Sequence, residues 1–188
     1  LNDKNILNSP QIGIFQKELL DFVVEKTAMA IKQASKNLQP VRIGTGATLI
    51  ENMNRNRRND SASDPELTLL RVDKFDGTPL AVLVNWTAHP TMMDENDMWV
   101  SGGWPGYLQR ELEDWIGDGV VALYYNGAQG DQTAVRPPGG SHYEQAEIYG
   151  RRMAKHAFKL FGEISTSENA ALDYDYQISE LPERRAHP

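Results

Sequence analysis

The sequence predicts an α/β fold: a mixed β-sheet with helices packed on it, and polar loops at the strand ends forming a site. Three observations predict it. Apolar residues recur at spacings of three and four in three long segments, the mark of amphipathic helices. Two apolar runs, Leu80 to Val84 and Val120 to Tyr125, are short and read as buried strands. Both runs stop abruptly in small and polar residues, and ligands bind outside the strand ends of open α/β sheets.

The first helix is expected to start at Ser9 and Pro10, an N-cap hydroxyl followed by a proline at the first helical position. Phe15, Leu19, Phe22, Val23, Ala30, Ile31 and Ala34 form its apolar stripe, suited to packing on a sheet. Leu38, Gln39 and Pro40 end it. Val41 to Ile50 alternates as a strand, interrupted by Gly44 and Gly46. Residues 51–66 are polar and hold the run Asn54-Arg55-Asn56-Arg57-Arg58; a loop this long is functional or solvated. Leu67 to Asp73 and Leu80 to Trp86 make a hairpin around Phe75-Asp76-Gly77-Thr78-Pro79. An irregular loop runs from Met92 to Gly103. A helix opens at Trp104-Pro105 and stops at Gly117. The run Val120 to Tyr125 leads into a glycine-bordered loop, Asn126 to Thr133. A long helix spans about His142 to Phe161, and neither His142 nor His156 is expected to pair with another ligand. Glu163 to Asn169 reads as a linker, and the alternation of Leu172, Tyr174, Tyr176 and Ile178 suggests an edge strand. Residues 1–162 are thus expected to form an α/β domain, and 163–188 a linker with a possible edge strand continuing into a missing segment.

Composition narrows the function. At 188 residues and 40% hydrophobic content the chain can bury a sizeable core. A formal net charge of −7 argues against nucleic acid or an anionic membrane surface as partner. The absence of cysteine excludes disulfides, thiolate metal ligands and a catalytic thiol. No apolar run approaches the ~20 residues of a transmembrane helix.

Three groups stand where chemistry is expected. His89 arrives where Pro90 stops its strand, and a neutral imidazole nitrogen there is able to ligate zinc. The Asn126 to Thr133 loop offers a hydroxyl, a carboxylate in Asp131 and close backbone approach at Gly130. The arginines Arg55, Arg57 and Arg58 suit an anion or a developing oxyanion. His89 as a mere loop hydrogen-bonder, and the arginines as a solvated basic loop, stand beside these readings. The short spaced zinc signatures and the nucleophile-elbow motif are absent.

Asn85-Trp86-Thr87-Ala88-His89-Pro90-Thr91, then Val100-Ser101-Gly102-Gly103-Trp104-Pro105-Gly106-Tyr107, then Asn126-Gly127-Ala128-Gln129-Gly130-Asp131, resemble in order the catalytic domain of the neutral (non-lysosomal) ceramidases. The preceding Asn-Arg loop and the strand Leu67 to Val72 resemble the same family, over roughly residues 10–162. The resemblance implies a zinc amidase that cleaves the N-acyl bond of ceramide to sphingosine and a fatty acid. It implies that His89 is a zinc ligand and that Thr133 stands at the serine nucleophile of a Gly-Asp-x-Ser-Pro-Asn motif, after Asp131. It implies a substrate-binding role for Arg57 or Arg55, with the register open and Arg57 slightly favoured, and for Asn126 and Gly130 in the adjoining loop. Ala134 and Val135 depart from the motif, and Gly103 stands where an acidic residue is common.

The family's remaining zinc ligands match no position in this sequence, so zinc is an expected cofactor whose site is incomplete in this chain. The expectation is a portion of a larger amidohydrolase acting on a lipid or N-acyl amide, secreted, periplasmic or at the cell surface. The alternative is a non-catalytic binding or structural domain that keeps the fold without the zinc site.

Overall fold

The computed structural model describes residues 15–58, 62–171 and 173–180. These fall into two units, one ending at Pro40 and the other beginning at Val41. The first carries helix α1, Lys17–Lys36, which ends as expected ahead of Pro40. Its stripe residues Leu19, Phe22, Val23 and Ile31 are exposed. The expected start at Ser9 and Pro10 lies outside the described residues.

The second unit runs β1 (Val41–Leu49), β2 (Asn54–Asn56), β3 (Glu66–Lys74), β4 (Pro79–Trp86), α2 (Gly103–Ile116), β5 (Val121–Asn126), β6 (Gln132–Ala134) and α3 (His142–Glu163). Four strands form a mixed sheet in the order β1-β3-β4-β5. The β1–β3 and β3–β4 pairs are antiparallel, and β4–β5 is parallel. A parallel pair needs a crossover, and α2 supplies it. Strands β2 and β6 form a separate two-stranded ribbon.

The core lies between one face of the sheet and the helices α2 and α3. Leu67, Leu69, Val82, Val84, Trp86 and Ala122 meet Leu108, Leu112, Ala146, Tyr149, Met153 and Ala157 there, all of them buried. Leu80 to Val84, read from its continuous apolar run as a strand buried on both faces, is buried on one face of β4 only. Val82, Val84 and Trp86 are buried, whereas Ala81, Leu83 and Asn85 are only partly so. Its apolar run reflects a central position with a ladder on each side rather than helices on each side.

The two β1 glycines have a packing reason. A Cβ on Gly44 would stand 2.2 Å from the Ser165 carbonyl oxygen, and one on Gly46 would stand 2.8 Å from Ile164 Cγ1. The chain leaving α3 crosses β1 at this distance, and Ser167 pairs with Ile43. Residues 164–167 are therefore docked rather than a free linker. Arg71 fixes the crossing: it donates to Asp73 at 2.9 Å and to the Phe161 carbonyl at 3.1 Å. A cation at the C-terminus of α3 is also where the helix dipole favours one.

Residues 173–180 form no strand, and Tyr174, Tyr176 and Ile178 are exposed. This corrects the edge-strand expectation as far as the described residues go, Leu172 lying outside them. Alternation alone makes no strand without a ladder partner. No helix among the described residues is long and apolar enough to cross a membrane.

Candidate functional site

Strand β4 delivers His89 to its place. Beyond Trp86 the chain is held by Thr87, which is buried, donates to Asp64 Oδ2 at 2.6 Å, and accepts at its carbonyl from Asn54 at 2.9 Å. His89 then donates its backbone N–H to the Gln132 carbonyl at 3.1 Å and forms a parallel bridge with Thr133. Trp104, at the start of α2, donates to the His89 carbonyl at 3.4 Å.

The β2–β6 ribbon sets the second line of residues. Asn54 faces Ala134, Arg55 faces Thr133 and Asn56 faces Gln132. Directly opposed residues share a face, and neighbours along a strand alternate faces. Arg55, Thr133 and His89 therefore lie in one row, with Thr133 in the middle. Burial agrees: Asn54, Asn56, Gln132 and Ala134 are buried on the other face, Arg55 is exposed, and Thr133 and His89 are half-buried. His89 Nε2 is itself buried and has no hydrogen-bond partner.

The glycine-bordered loop is clamped from the Asn-Arg segment. Asn56 Nδ2 donates to Asp131 Oδ2 at 2.8 Å, and Gln132 Nε2 donates to Asp131 Oδ1 at 3.0 Å. These side-chain hydrogen bonds, the one from Gln132 first, hold the Asp131 carboxyl below its ordinary range. A carboxylate stabilised in its charged form is a weaker proton acceptor. Arg57 donates its backbone N–H to the Asp131 carbonyl at 2.8 Å and its guanidinium to the Gly130 carbonyl at 2.9 Å. Arg57 is thus committed to the loop backbone, while Arg55 faces Thr133.

Asn126 ends β5 opposite Trp86. Its side-chain oxygen accepts from the Tyr124 hydroxyl at 2.7 Å, and the same hydroxyl lies 3.0 Å from the Trp86 carbonyl. Burial raises the Tyr124 phenol far above its ordinary pKa, so it stays a neutral donor. Tyr149 does similar work below: it donates to the Met53 carbonyl at 2.8 Å and accepts from Trp86 Nε1 at 3.0 Å, which seats the start of β2.

The structure therefore brings His89, Thr133, Arg55, Asp131, Gly130 and Arg57 together through the β2–β6 ribbon and the His89–Thr133 bridge, with Asn126 at the end of the β4–β5 pair. Tyr124 and Tyr149 were not expected there, and Asn56 and Gln132 were noted only as members of the Asn-Arg run and the glycine-bordered loop. The alternation Asn54-Arg55-Asn56-Arg57 was a signal, since a short polar strand buries every second residue. A cavity of about 410 Å³ lies elsewhere on the unit, lined by residues 99–103 with Tyr107, Arg110 and Tyr143, and none of the expected site residues lines it.

The free, buried His89 Nε2 is a suitable nitrogen for a metal. Catalytic zinc needs about three protein ligands. Among the described residues His89 belongs to no group of three candidate ligands, so they do not by themselves make a zinc site around it.

No family model matches the chain. Neutral ceramidase B of Dictyostelium discoideum is 28% identical over 107 residues, which is 50% of this chain and 15% of that protein. The crystal structure of neutral ceramidase from Pseudomonas aeruginosa superposes with a TM-score of 0.72 at 22% identity, covering 79% of this chain and 27% of that one. A ceramidase complexed with C2 gives a TM-score of 0.72 at 21% identity, covering 79% of this chain and 26% of that one. The matched part is thus a fraction of each relative's length, and the likeness to the solved structures establishes the fold. With the motif resemblance and the partial sequence match beside that fold, the chain is neutral-ceramidase-like.

Proposed function

We propose that this chain supplies part of the catalytic core of a ceramidase-type amide hydrolase, which cleaves the N-acyl bond of a ceramide-like lipid. The observation that carries the reading is the row Arg55–Thr133–His89 at the strand ends of a ceramidase-like fold. An oxygen nucleophile, the Thr133 hydroxyl or a water beside it, bonds to the amide carbon. The C–N bond then breaks, and the nucleophile's proton passes to the departing nitrogen; where Thr133 is the nucleophile, a water then cleaves the acyl ester, freeing the fatty acid and restoring the hydroxyl. Arg55 brings positive charge to the oxyanion, a role of the kind that contributes about 10²–10³ in kcat. Asp131, held charged by Gln132 and Asn56, fixes the loop that presents Thr133. His89 contributes one nitrogen toward the zinc that the resemblance implies, and no step above depends on that metal.

The test is hydrolysis of a fluorescent short-chain N-acyl amide, by the chain alone and by any longer polypeptide that carries it. Turnover abolished by His89→Ala, with the fold retained, supports the reading. Thr133→Ala separates the nucleophiles, since retained turnover identifies water. Absence of turnover across several acyl chain lengths would instead support a non-catalytic binding or structural domain, the reading favoured by Thr133 in the serine position and by the lack, among the described residues, of a ligand set around His89. The same resemblance supports a secreted, periplasmic or cell-surface location, which fractionation of the source cells tests.

A further inference from the structure

Asp94, Asp97 and His142 converge outside the His89 row. The first two sit on the irregular loop after β4, and His142 is the first residue of α3. One ligand atom from each lies within 4.8 Å of the other two. His142 Nδ1 is 2.6 Å from Asp97 Oδ2 and 3.6 Å from Asp94 Oδ2. The groups are held before any ligand arrives. Asp94 donates its N–H to Asp97 Oδ2 at 2.7 Å, and Asp97 donates its own N–H to the Asp94 carbonyl at 3.1 Å. His142 is fixed in turn by the capping box of Ser141 and Glu144.

We propose that Asp94, Asp97 and His142 form a site for a divalent transition-metal ion, with zinc or manganese as the fitting class. Ligand atoms at about 2.1 Å from a tetrahedral metal stand roughly 3.4 Å apart. The observed 2.6 and 3.6 Å from His142 Nδ1 straddle that spacing. Two carboxylates balance the charge of a divalent ion, and the neutral ring moves its hydrogen to Nε2 and coordinates through Nδ1. The imidazole selects against calcium and magnesium, which take oxygen ligands. The nearby cation Arg136 is directed elsewhere, to Gln145 Oε1 at 3.1 Å and the Thr91 carbonyl at 3.4 Å. Partial exposure of Asp94 and His142 leaves positions open for water.

The site has a consequence for the adjoining cavity. Tyr143 follows His142, and its hydroxyl bonds both the N–H and the carbonyl of Trp99, each at 3.1 Å. Trp99 begins the segment 99–103 that walls the cavity. A metal bridging the loop to α3 locks that wall in place.

The experiment is calorimetric titration of zinc chloride into the chelator-stripped 188-residue chain, carried in a His89→Ala background so that this nitrogen is removed. The expected result is one zinc per chain, weakened at least about tenfold by His142→Ala, by Asp97→Asn and by Asp94→Asn. His156→Ala leaves the affinity unchanged. Hydrogen exchange of residues 94–101 slows on zinc addition in the parent and not in the variants. No zinc uptake, or equal affinity in parent and variants, overturns the proposal and leaves the cluster as an ion pair only. Asp94 is exposed, so Asp94→Asn keeps the test decisive should another variant fail to fold. The readout is binding, so it stands or falls apart from any amidase activity.

Discussion

Asn56 and Asp131, 75 residues apart, meet side chain to side chain at 2.8 Å. Asn56 is buried, and it also donates to the Ala62 carbonyl at 3.0 Å and accepts from the Arg58 N–H at 2.8 Å. One amide thus ties the Asn-Arg segment to the glycine-bordered loop. Replacing a buried, fully bonded amide strands its partners and costs about 1–3 kcal/mol. Asn56→Ala is therefore expected to lower chemical-denaturation stability by that amount. Stability unchanged within ~0.3 kcal/mol would contradict the clamp.

The two arginines separate by experiment. Arg55→Ala is expected to reduce kcat about 10²-fold or more under the proposed function, with little change in stability, because Arg55 is exposed and faces Thr133. Arg57→Ala removes the bond to the Gly130 carbonyl and loosens the loop, so hydrogen exchange at 127–131 rises. The reverse assignment of effects would restore Arg57 as the substrate-facing residue.

Acid sensitivity follows from two carboxyls. Asp131 is held below its ordinary 3.8 by Gln132 and then Asn56. Asp97 is held below 3.8 by the Asp94 backbone N–H and then by His142. A carboxyl whose pKa falls on folding binds its proton more readily in the unfolded chain. Its contribution is therefore present above the unfolded value and lost as pH falls through the folded one. Thermal stability is expected to be level with respect to these groups above about pH 5 and to fall below about pH 4. Asp131→Asn should flatten that fall. An unchanged slope would show that the carboxylate is not held as described.

The glycines of β1 and α3 give a packing test. Gly44→Ala drives a methyl into the Ser165 carbonyl, and overpacking of this kind costs about 1–3 kcal/mol or more. Gly162→Ala meets nothing within 4 Å and lies in α3, where alanine is favoured by up to about 1 kcal/mol. Opposite shifts in melting temperature are expected. Equal shifts would mean that residues 164–165 do not pin β1.

Much of this arrangement was legible from the sequence, for identifiable reasons. Strands β3, β4 and β5 and helices α2 and α3 carry strong periodicity and clear stops at Gly117, Pro90 and the Phe75–Pro79 turn. His89 and Thr133 were expected near one another and are bridged through the backbone. The β2–β6 ribbon was legible only in part. Its strands of three residues each are polar, and the alternation at 54–57 hinted at inward asparagines without giving their partner strand or register. The choice between Arg55 and Arg57 waited on that register. His142 showed no ligand pairing because Asp97 and Asp94 lie 45 and 48 residues upstream, in a loop without periodicity. The purpose of Gly44 and Gly46 depends on a crossing more than a hundred residues later, which local propensity does not encode.

Strand β5 closes the four-stranded order, and Val121, Leu123 and Tyr125 stand outward on it, each about half exposed. An outer strand with an apolar row invites self-association, and here Glu113 and Gln109 of α2 already occupy the Ala122 N–H and carbonyl. The row on Val121–Asn126 is thus one place where copies are expected to meet in concentrated samples, and Leu123→Lys is expected to blunt that rim without entering the interior.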